Sequence, residues 1–415
     1  MIRQDFSIKS LLKVTCRHEI IKFSLGRNKD EYKLNLAPIS TILSDKDFNF
    51  KFIKSIKIRG KNVYFTDNPS EHFALKVISY NINRLYKISL NNRDEISEQI
   101  AKILETSSCY GVIKLDVKHF YESISFDNLI DKLKTDMLLS TRLINILGSL
   151  KLLGAKGLPR GLSISPILSE IFMKNVDSAI KNIPGVYYYS RYVDDIFILS
   201  TKNSTEIYCE VIKILDKYEL KTNKKMYKTD IFNTYTPNIS NKTFDHLGYK
   251  YIIKNTEYNK KRIVNIELAD DKVRKIKTRI VHSLLDRVYN KSRINDKKEL
   301  LLKRINILSG NYPLFSKGKT NQKETQLKGG IYFSNRLVNN PAIFEQFNSF
   351  IKKSIFSRKN NFFGRTMNKI PLSEKIELTR ICFRQGFVQK KFIPSSDKEM
   401  KEIKECWKHK NHKRK

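Results

Sequence analysis

Asp116, Asp194 and Asp195 are the residues whose type and setting could carry a reaction. Each stands at the end of a short apolar, β-rich segment: GVIKLDV at 111–117 before Asp116, and VYYYSRYVDDIFILS at 186–200 around the other two. Two β-forming arms around an Asp-Asp pair read as a hairpin with the pair at its tight turn. Pairing with the 111–117 strand would bring Asp116 alongside. Carboxylates gathered so closely repel one another unless a divalent cation lies between them. Oxygen donors of this kind select a hard cation, Mg2+ or Mn2+. Two such ions a few ångströms apart can activate an attacking 3′-hydroxyl and stabilise a leaving pyrophosphate. An isolated Asp-Asp pair is more often a surface turn. The flanking strands and the third acid raise this one to a candidate metal centre.

Other elements must hold these acids in place. Residues 51–66, KFIKSIKIRGKNVYFT, alternate apolar and basic residues around Gly60 and read as a hairpin. Helical spacing runs through 71–106, with Phe73, Val77, Ile78, Ile82 and Leu85 on one face, and again from Pro166 to Ile180. A further helix is expected over 204–219 and a strand pair over 244–268. Beyond about residue 270 the stretches 271–289 and 297–308 read as basic helices. The chain ends in KHKNHKRK, a basic tail expected to be disordered.

Composition narrows the class. The 415 residues carry 79 Lys and Arg against 42 Asp and Glu, a formal charge of +37. With 24 Phe and 20 Tyr the chain can build a core, which a disordered polycation cannot. No run of 18 apolar residues exists, so a transmembrane helix is excluded, and the charged N-terminus does not read as a signal peptide. The five cysteines, Cys16, Cys109, Cys209, Cys382 and Cys406, never form a CxxC pair, so neither a zinc site nor a disulfide framework is expected. The expectation is a soluble cytoplasmic protein with no membrane partner. Its excess charge calls for a long polyanion, and nucleic acid is the obvious one. An AT-rich genome accounts for part of the Lys and Asn content, but not for the scarcity of acids.

The order of motifs resembles that of reverse transcriptases. KLDVKHFYESI at 114–124 is similar to the first catalytic motif, GLPRGLSISPILS at 157–169 to the second, and YVDD at 192–195 to the third. LKTNKKMYKT at 220–229 is similar to the fourth motif, and FDHLGYKY at 244–251 to the primer-grip hairpin. The resemblance covers about residues 70–255. It implies an α+β right-hand polymerase with fingers, a palm built on an antiparallel sheet, a thumb, and a basic helical C-terminal region. The expected division is 1–112 for the N-terminal and fingers region, 113–255 for the palm (with part of the fingers at about 135–165), and 256–415 for thumb, helical extension and tail.

The resemblance also implies roles. Asp116, Asp194 and Asp195 would hold the metals with the Val117 carbonyl, and Mg2+ would be the cofactor, Mn2+ a possible substitute. Phe120 or Tyr121 would sit under the sugar and exclude a 2′-hydroxyl. Gly157 and Gly161 would let the backbone approach a base pair, and Tyr192 would lie against the primer end. Lys228 would neutralise or protonate pyrophosphate. His246 and Gly248 would shape the primer-grip turn, and Lys57, Arg59 and Lys61 are candidates for gripping triphosphate or nucleic acid. Arg160 stands where the family usually has Gln, so it would contact template backbone or incoming phosphates. The partners implied are dNTPs, an RNA template and a DNA product.

The chain shows no HNH nuclease signature and no acidic cluster of an RNase H type. The stretch RIVNIEL at 262–268 lacks the Val-Thr-Gly motif usual in the retron thumb. What remains resembles bacterial abortive-infection and defence-associated reverse transcriptases, retron-like in size, which act with a structured non-coding RNA in antiphage immunity. The alternatives are a retron-type enzyme, template-independent DNA synthesis by the same palm, and a non-catalytic RNA-binding protein. The basic region beyond 270 is expected to supply much of the RNA grip.

Overall fold

The computed structural model describes residues 3–58, 60–223, 227–231, 241–254, 261–289, 294–314 and 328–408. The chain divides into two compact units, one built from Met1–Ile96 and Ser108–Phe232, the other from Ser97–Ser107, Asn233–Ser316 and Lys323–Lys415.

The first unit opens with helices α1 (Ile8–Val14), α2 (Arg17–Lys22) and α3 (Lys29–Ser44), then a hairpin of β1 (Lys54–Ile58) and β2 (Lys61–Phe65). Helix α4 (Pro69–Tyr86) starts where Asn68 caps the Glu71 N–H and Pro69 occupies the first turn, and it ends at Lys87 in the left-handed region. Helix α5 (Arg93–Ile103) leads on to β3 (Tyr110–Asp116), the short helices α6 (Phe120–Ser123), α7 (Phe126–Thr135) and α8 (Thr141–Gly148), and α9 (Ser165–Lys181). Then come β4 (Val186–Tyr192), β5 (Asp195–Ser200), α10 (Ser204–Lys217) and β6 (Tyr227–Ile231). The four longer-range strands make one antiparallel sheet in the order β4-β5-β3-β6.

Strand alternation gives this sheet two distinct faces. Ile113, Leu115, Ile196 and Ile198 point to one face and are fully buried with Leu168, Ile171, Val176, Ile207 and Val211 of α9 and α10. Asp116 and Asp195, directly opposite each other, point to the other. The hairpin, the strand at 111–117 and the helices over 166–180 and 204–219 thus form where the sequence places them.

One ionic cluster fixes the N-terminal helices. The Glu19 side chain on α2 is 4 % exposed, receives the Cys16 N–H at 2.9 Å, and meets His72 Nε2 at 3.1 Å and Lys76 Nζ at 2.8 Å on α4. Burial alone would raise its carboxyl, yet the hydrogen bonds from His72 and Cys16 and the Lys76 ammonium hold it well below the usual carboxylate range. Glu19→Ala should therefore cost about 2 kcal/mol, since it strands half-buried donors and a half-buried cation. Because the folded carboxyl is the more acidic one, this contribution is present above the ordinary value of 4.5 and fades as pH falls through the lower, folded value. Urea melts at pH 7 and pH 3 check both statements: the gap between wild type and variant should shrink in acid.

The second unit contains a three-stranded sheet, β7 (Lys242–His246), β8 (Tyr249–Lys254) and β9 (Ile263–Leu268), where the sequence suggested a pair. Helices α11 (Asp270–Tyr289) and α12 (Ile294–Ser309) pack against each other and, with shorter helices out to residue 405, complete it. Arg287 on α11 forms a buried two-pronged pair with Glu374, at 2.8 and 2.6 Å. Phe344 and Phe347 are core, whereas Phe362 is exposed and stacks on Tyr289 at 6.0 Å. Phe315 and all but the first residue of the basic tail lie outside the described residues. Among the described residues no helix is long and apolar enough to cross a membrane.

Candidate active site

The turn between β4 and β5 consists of Val193 and Asp194, with Tyr192 facing Asp195 across it. Val193 has φ of +58°, a conformation that a β-branched residue adopts only when its surroundings impose it. Two hydrogen bonds impose it here. Arg191 Nη1 donates to the Val193 carbonyl at 3.0 Å, and the Val117 N–H donates to the Asp194 carbonyl at 3.0 Å. The second bond also ties the turn to the end of β3, so the strand bearing Asp116 and the turn bearing Asp194 are held as one piece.

Asp116 is anchored from a third direction. Its carbonyl accepts the Asn223 N–H at 2.8 Å, and its carboxylate accepts the Asn223 side-chain amide. Burial raises the Asp194 carboxyl, Asp116 pushes it further, and the positive charges of Arg160 and Lys61 pull it back. Burial also raises Asp195; Lys114 opposes the shift while Asp194 and Asp116 add to it, and the result is pushed up to about 6. At Asp194 and Asp195, burial and the neighbouring acids thus outweigh the cations around them. Among the described residues no three His, Cys, Asp or Glu side chains are placed to hold one ion. Two carboxylates with the neighbouring Val117 main-chain oxygen still suit Mg2+, which takes one or two carboxylates and completes its octahedron from water and substrate phosphate.

Around the acids stand Tyr121, Arg160 and Lys61. Phe120 is 1 % exposed and belongs to the core, which corrects its expected place beneath a substrate; of the two aromatics only Tyr121, half-buried, faces the site. Burial raises the Tyr121 hydroxyl, and the charges of Arg160 and Asp194 both act on it. Arg160 lies over the Tyr121 ring at 5.2 Å and makes a two-pronged pair with Glu122, both bonds at 3.1 Å. Its charge is therefore already partly balanced. Lys61 begins β2, is exposed, and acts on both Asp194 and Glu122. Lys57 is exposed on β1, and Arg59 lies outside the described residues.

The two glycines of the second motif are each required by the protein's own main chain. A Cβ on Gly157, at φ +71°, would stand 2.5 Å from the Tyr121 carbonyl oxygen. On Gly161, at φ +101°, it would stand 2.6 Å from the Tyr64 carbonyl oxygen. Between them the Leu158 N–H donates to the Tyr121 carbonyl at 2.8 Å and the Tyr64 N–H to the Arg160 carbonyl at 2.7 Å. The loop thereby clamps α6 to the β1–β2 hairpin.

Lys228 is where sequence and structure part. It lies opposite Ile113 on β3, and therefore on the face covered by α9 and α10, with its Nζ 4.9 Å from the Tyr208 ring of α10. Its side chain is exposed and lies on the sheet face opposite to that of Asp116 and Asp195. Lys114 and Tyr227 face each other on the acid side instead, and Lys114 is the cation that acts on Asp195. Period-two counting back from Asp116 would have found Lys114 in the sequence. His246 and Gly248 belong to the second unit: His246 ends β7, 2 % exposed, and Leu247-Gly248, both at positive φ, form the tight turn into β8.

Residues 55–251 match the family model described as reverse transcriptase (RNA-dependent DNA polymerase). No curated protein matches the chain. Among solved structures, a truncated apo telomerase from Candida tropicalis aligns at 14 % identity and TM-score 0.35 over 52 % of this chain and 54 % of that one. Telomerase from Candida albicans, solved with a fragment of telomeric RNA, aligns at 13 % identity and TM-score 0.35 over 89 % of this chain and 62 % of that one. The longer apo telomerase from Candida tropicalis gives 13 %, 0.35, 86 % and 64 % respectively. The chain thus spans 54 to 64 % of the length of these structures, and the similarity is too low to carry detail. The family match over the acids, their sheet and the clamping loop carries the assignment: the fold is α+β of the right-hand polymerase kind, and residues 55–251 form a reverse transcriptase domain.

Proposed function

We propose that this chain is an RNA-directed DNA polymerase that adds deoxynucleotides to a primer 3′-hydroxyl. The observation that supports it best is the register of Asp116 opposite Asp195, with Asp194 at a turn bonded to the same strand end, inside the matched domain. Asp116 and Asp194, with the Val117 carbonyl and with Asp195 behind them, would hold Mg2+ or Mn2+. Bound there, the metal supplies the charge that lowers the pKa of the primer hydroxyl and offsets charge on the leaving pyrophosphate. Lys61 would meet the triphosphate from the hairpin, and Tyr192 would support the primer end. Tyr121, braced by Arg160, would lie under the deoxyribose; in that reading Arg160 orders Tyr121 rather than reading the template.

The test is incorporation of labelled dNTPs by the purified full-length protein on an RNA template with an annealed primer, followed by sequencing of the product. Product complementary to the RNA supports the proposal; DNA unrelated to any template would assign the palm to untemplated synthesis. Tyr121→Val should raise ribonucleotide use relative to deoxynucleotide use by about tenfold or more, because a ring that crowds the 2′-oxygen is gone. Unchanged discrimination would remove Tyr121 from that role.

The resemblance to defence-associated enzymes and the charge of +37 support a narrower reading, in which a structured non-coding RNA is the natural template and the product serves antiphage immunity. Sequencing of the RNA and DNA that co-purify with the protein, with and without phage, tests it.

A further inference from the structure

A short arm after α10 reaches Asp116 from the side away from the β4–β5 turn. Leu220 is buried and its N–H donates to the Leu215 carbonyl at 2.9 Å, which seats the start of the arm on α10. Residues 221–223 then run antiparallel to 116–118. The Lys118 N–H donates to the Lys221 carbonyl at 2.7 Å, Thr222 lies opposite Val117, and the Asn223 N–H donates to the Asp116 carbonyl at 2.8 Å. These main-chain bonds already tie the arm to β3, so the Asn223 side chain is not needed for that.

What the side chain adds is a hold on the carboxylate. Its amide nitrogen donates to Asp116 Oδ2, whereas Oδ1 accepts no hydrogen bond among the described residues. Neither Asp194 nor Asp195 receives a donor from another side chain among the described residues. Of the three acids, then, only Asp116 has its carboxylate plane set by a neighbouring side chain. The hold comes from the β6 side of β3, while Asp194 and Asp195 lie on the β5 side. It therefore occupies one oxygen and leaves the other to a ligand.

The kind of donor matters as much as its place. Lys221, Lys224 and Lys225 stand within two residues of Asn223 in the sequence. A lysine at 223 would also hold Oδ2, but its charge would compete with a divalent cation for the same carboxylate. An amide orients the group without neutralising it. From this geometry we infer that Asn223 is a positioning residue of the metal centre, fixing Asp116 by Oδ2 and presenting Oδ1 to a divalent cation. The inference rests on the reading of the acids as metal ligands. It makes Asn223 the residue through which the fourth motif reaches the site, since Lys228 lies on the other face of the sheet.

The experiment uses full-length protein and Mn2+ alone, with free Mn2+ counted by its electron paramagnetic resonance signal and no nucleotide or primer present. Wild type should bind Mn2+ and Asp194→Asn should lose most of that binding, which ties it to the acids. Asn223→Ala and Asn223→Ser, whose hydroxyl is too short to reach Oδ2, should each weaken binding about tenfold, as loss of a partner that orients a metal ligand does. In single-nucleotide incorporation the same variants should need about tenfold more Mg2+ for half-maximal rate, while the KM for dNTP at saturating Mg2+ stays close to that of wild type. Thermal melts in EDTA identify which variants are folded, and either one suffices. Mn2+ binding that depends on Asn223 in a protein that incorporates nothing would sink the polymerase reading and leave the positioning role standing. Wild-type Mn2+ affinity in a folded Asn223 variant, whatever its melting temperature, would reduce Asn223 to a tie between arm and sheet and overturn the inference. Failure of wild type to bind Mn2+ would overturn it too.

Discussion

Asp194→Asn should lower nucleotide incorporation by on the order of 10³-fold, about 4 kcal/mol of barrier, while leaving the protein as stable as wild type or more so. The two effects have one cause. Asp194 and Asp195 are taken out of water beside Asp116, and burial and like charge together disfavour their ionised forms. A carboxylate kept at such a place weakens the fold, and an isosteric amide removes the penalty without emptying the space. The same substitution takes away an anionic oxygen for which a neutral amide is a poor replacement as a ligand to Mg2+. The measurement pairs single-nucleotide incorporation with thermal melting in EDTA and in Mg2+. Wild type should melt higher when Mg2+ is added, and Asp194→Asn should gain less. Incorporation that survives in Asp194→Asn, and in Asp194→Ala with Asp195→Ala, would dissociate these acids from the reaction.

The acids could be read from the sequence because the signal is local. Apolar strands of the right length flank each one, and alternation sets Asp116 and Asp195 on the face away from Leu115 and Ile196, while the pairing of β3 with β5 sets them opposite each other. The helices over 166–180 and 204–219 are equally local, since their apolar spacing is complete within each segment. Lys228 was misplaced for a related reason: in a strand one residue of offset changes the face, and spacing within the fourth motif does not fix the offset. Its register opposite Ile113 decides the matter, and that register is set by a strand more than a hundred positions earlier. Phe120 and Tyr121 differ in the same way. Both read as aromatic residues after the first acid, but α6 turns one into the core and the other toward Asp194.

Contacts between segments distant in the chain left no such trace. The second-motif glycines suggested a close approach, and the structure supplies the partners as Tyr121 and Tyr64 main chain. Asn223, within the fourth motif, holds Asp116 through both its N–H and its amide. Nothing in the sequence around Arg191 sets it apart in a chain so rich in cations. The faint signal was in α9, where Glu170 and Asp177 interrupt the helix two turns apart, close to its apolar positions.

Arg191→Leu should cost about 3 to 5 kcal/mol of stability, the effect of removing one member of a buried ionic network. The guanidinium is 2 % exposed. Its Nε donates to Asp177 at 2.9 Å, its Nη2 to Glu170 at 2.7 Å and Asp177 at 2.9 Å, and its Nη1 to Glu170 at 3.0 Å and the Val193 carbonyl at 3.0 Å. Leucine would leave two acids facing each other without a cation and a turn carbonyl without its donor. Arg191→Lys is the more telling variant. One ammonium can neutralise the acids but cannot reach both and the Val193 carbonyl with the geometry of a fork. Most of the stability should return while kcat stays low with KM little changed, because the turn carrying Asp194 has lost its support. Val193 at φ +58° needs that support and glycine would not. In a Val193→Gly background Arg191→Lys should therefore cost less stability than in wild type, with a coupling of about 1 kcal/mol measurable in a double-mutant cycle. Additive losses would mean that Arg191 joins sheet to helix and nothing more; coupled losses would make it the residue that positions the catalytic turn.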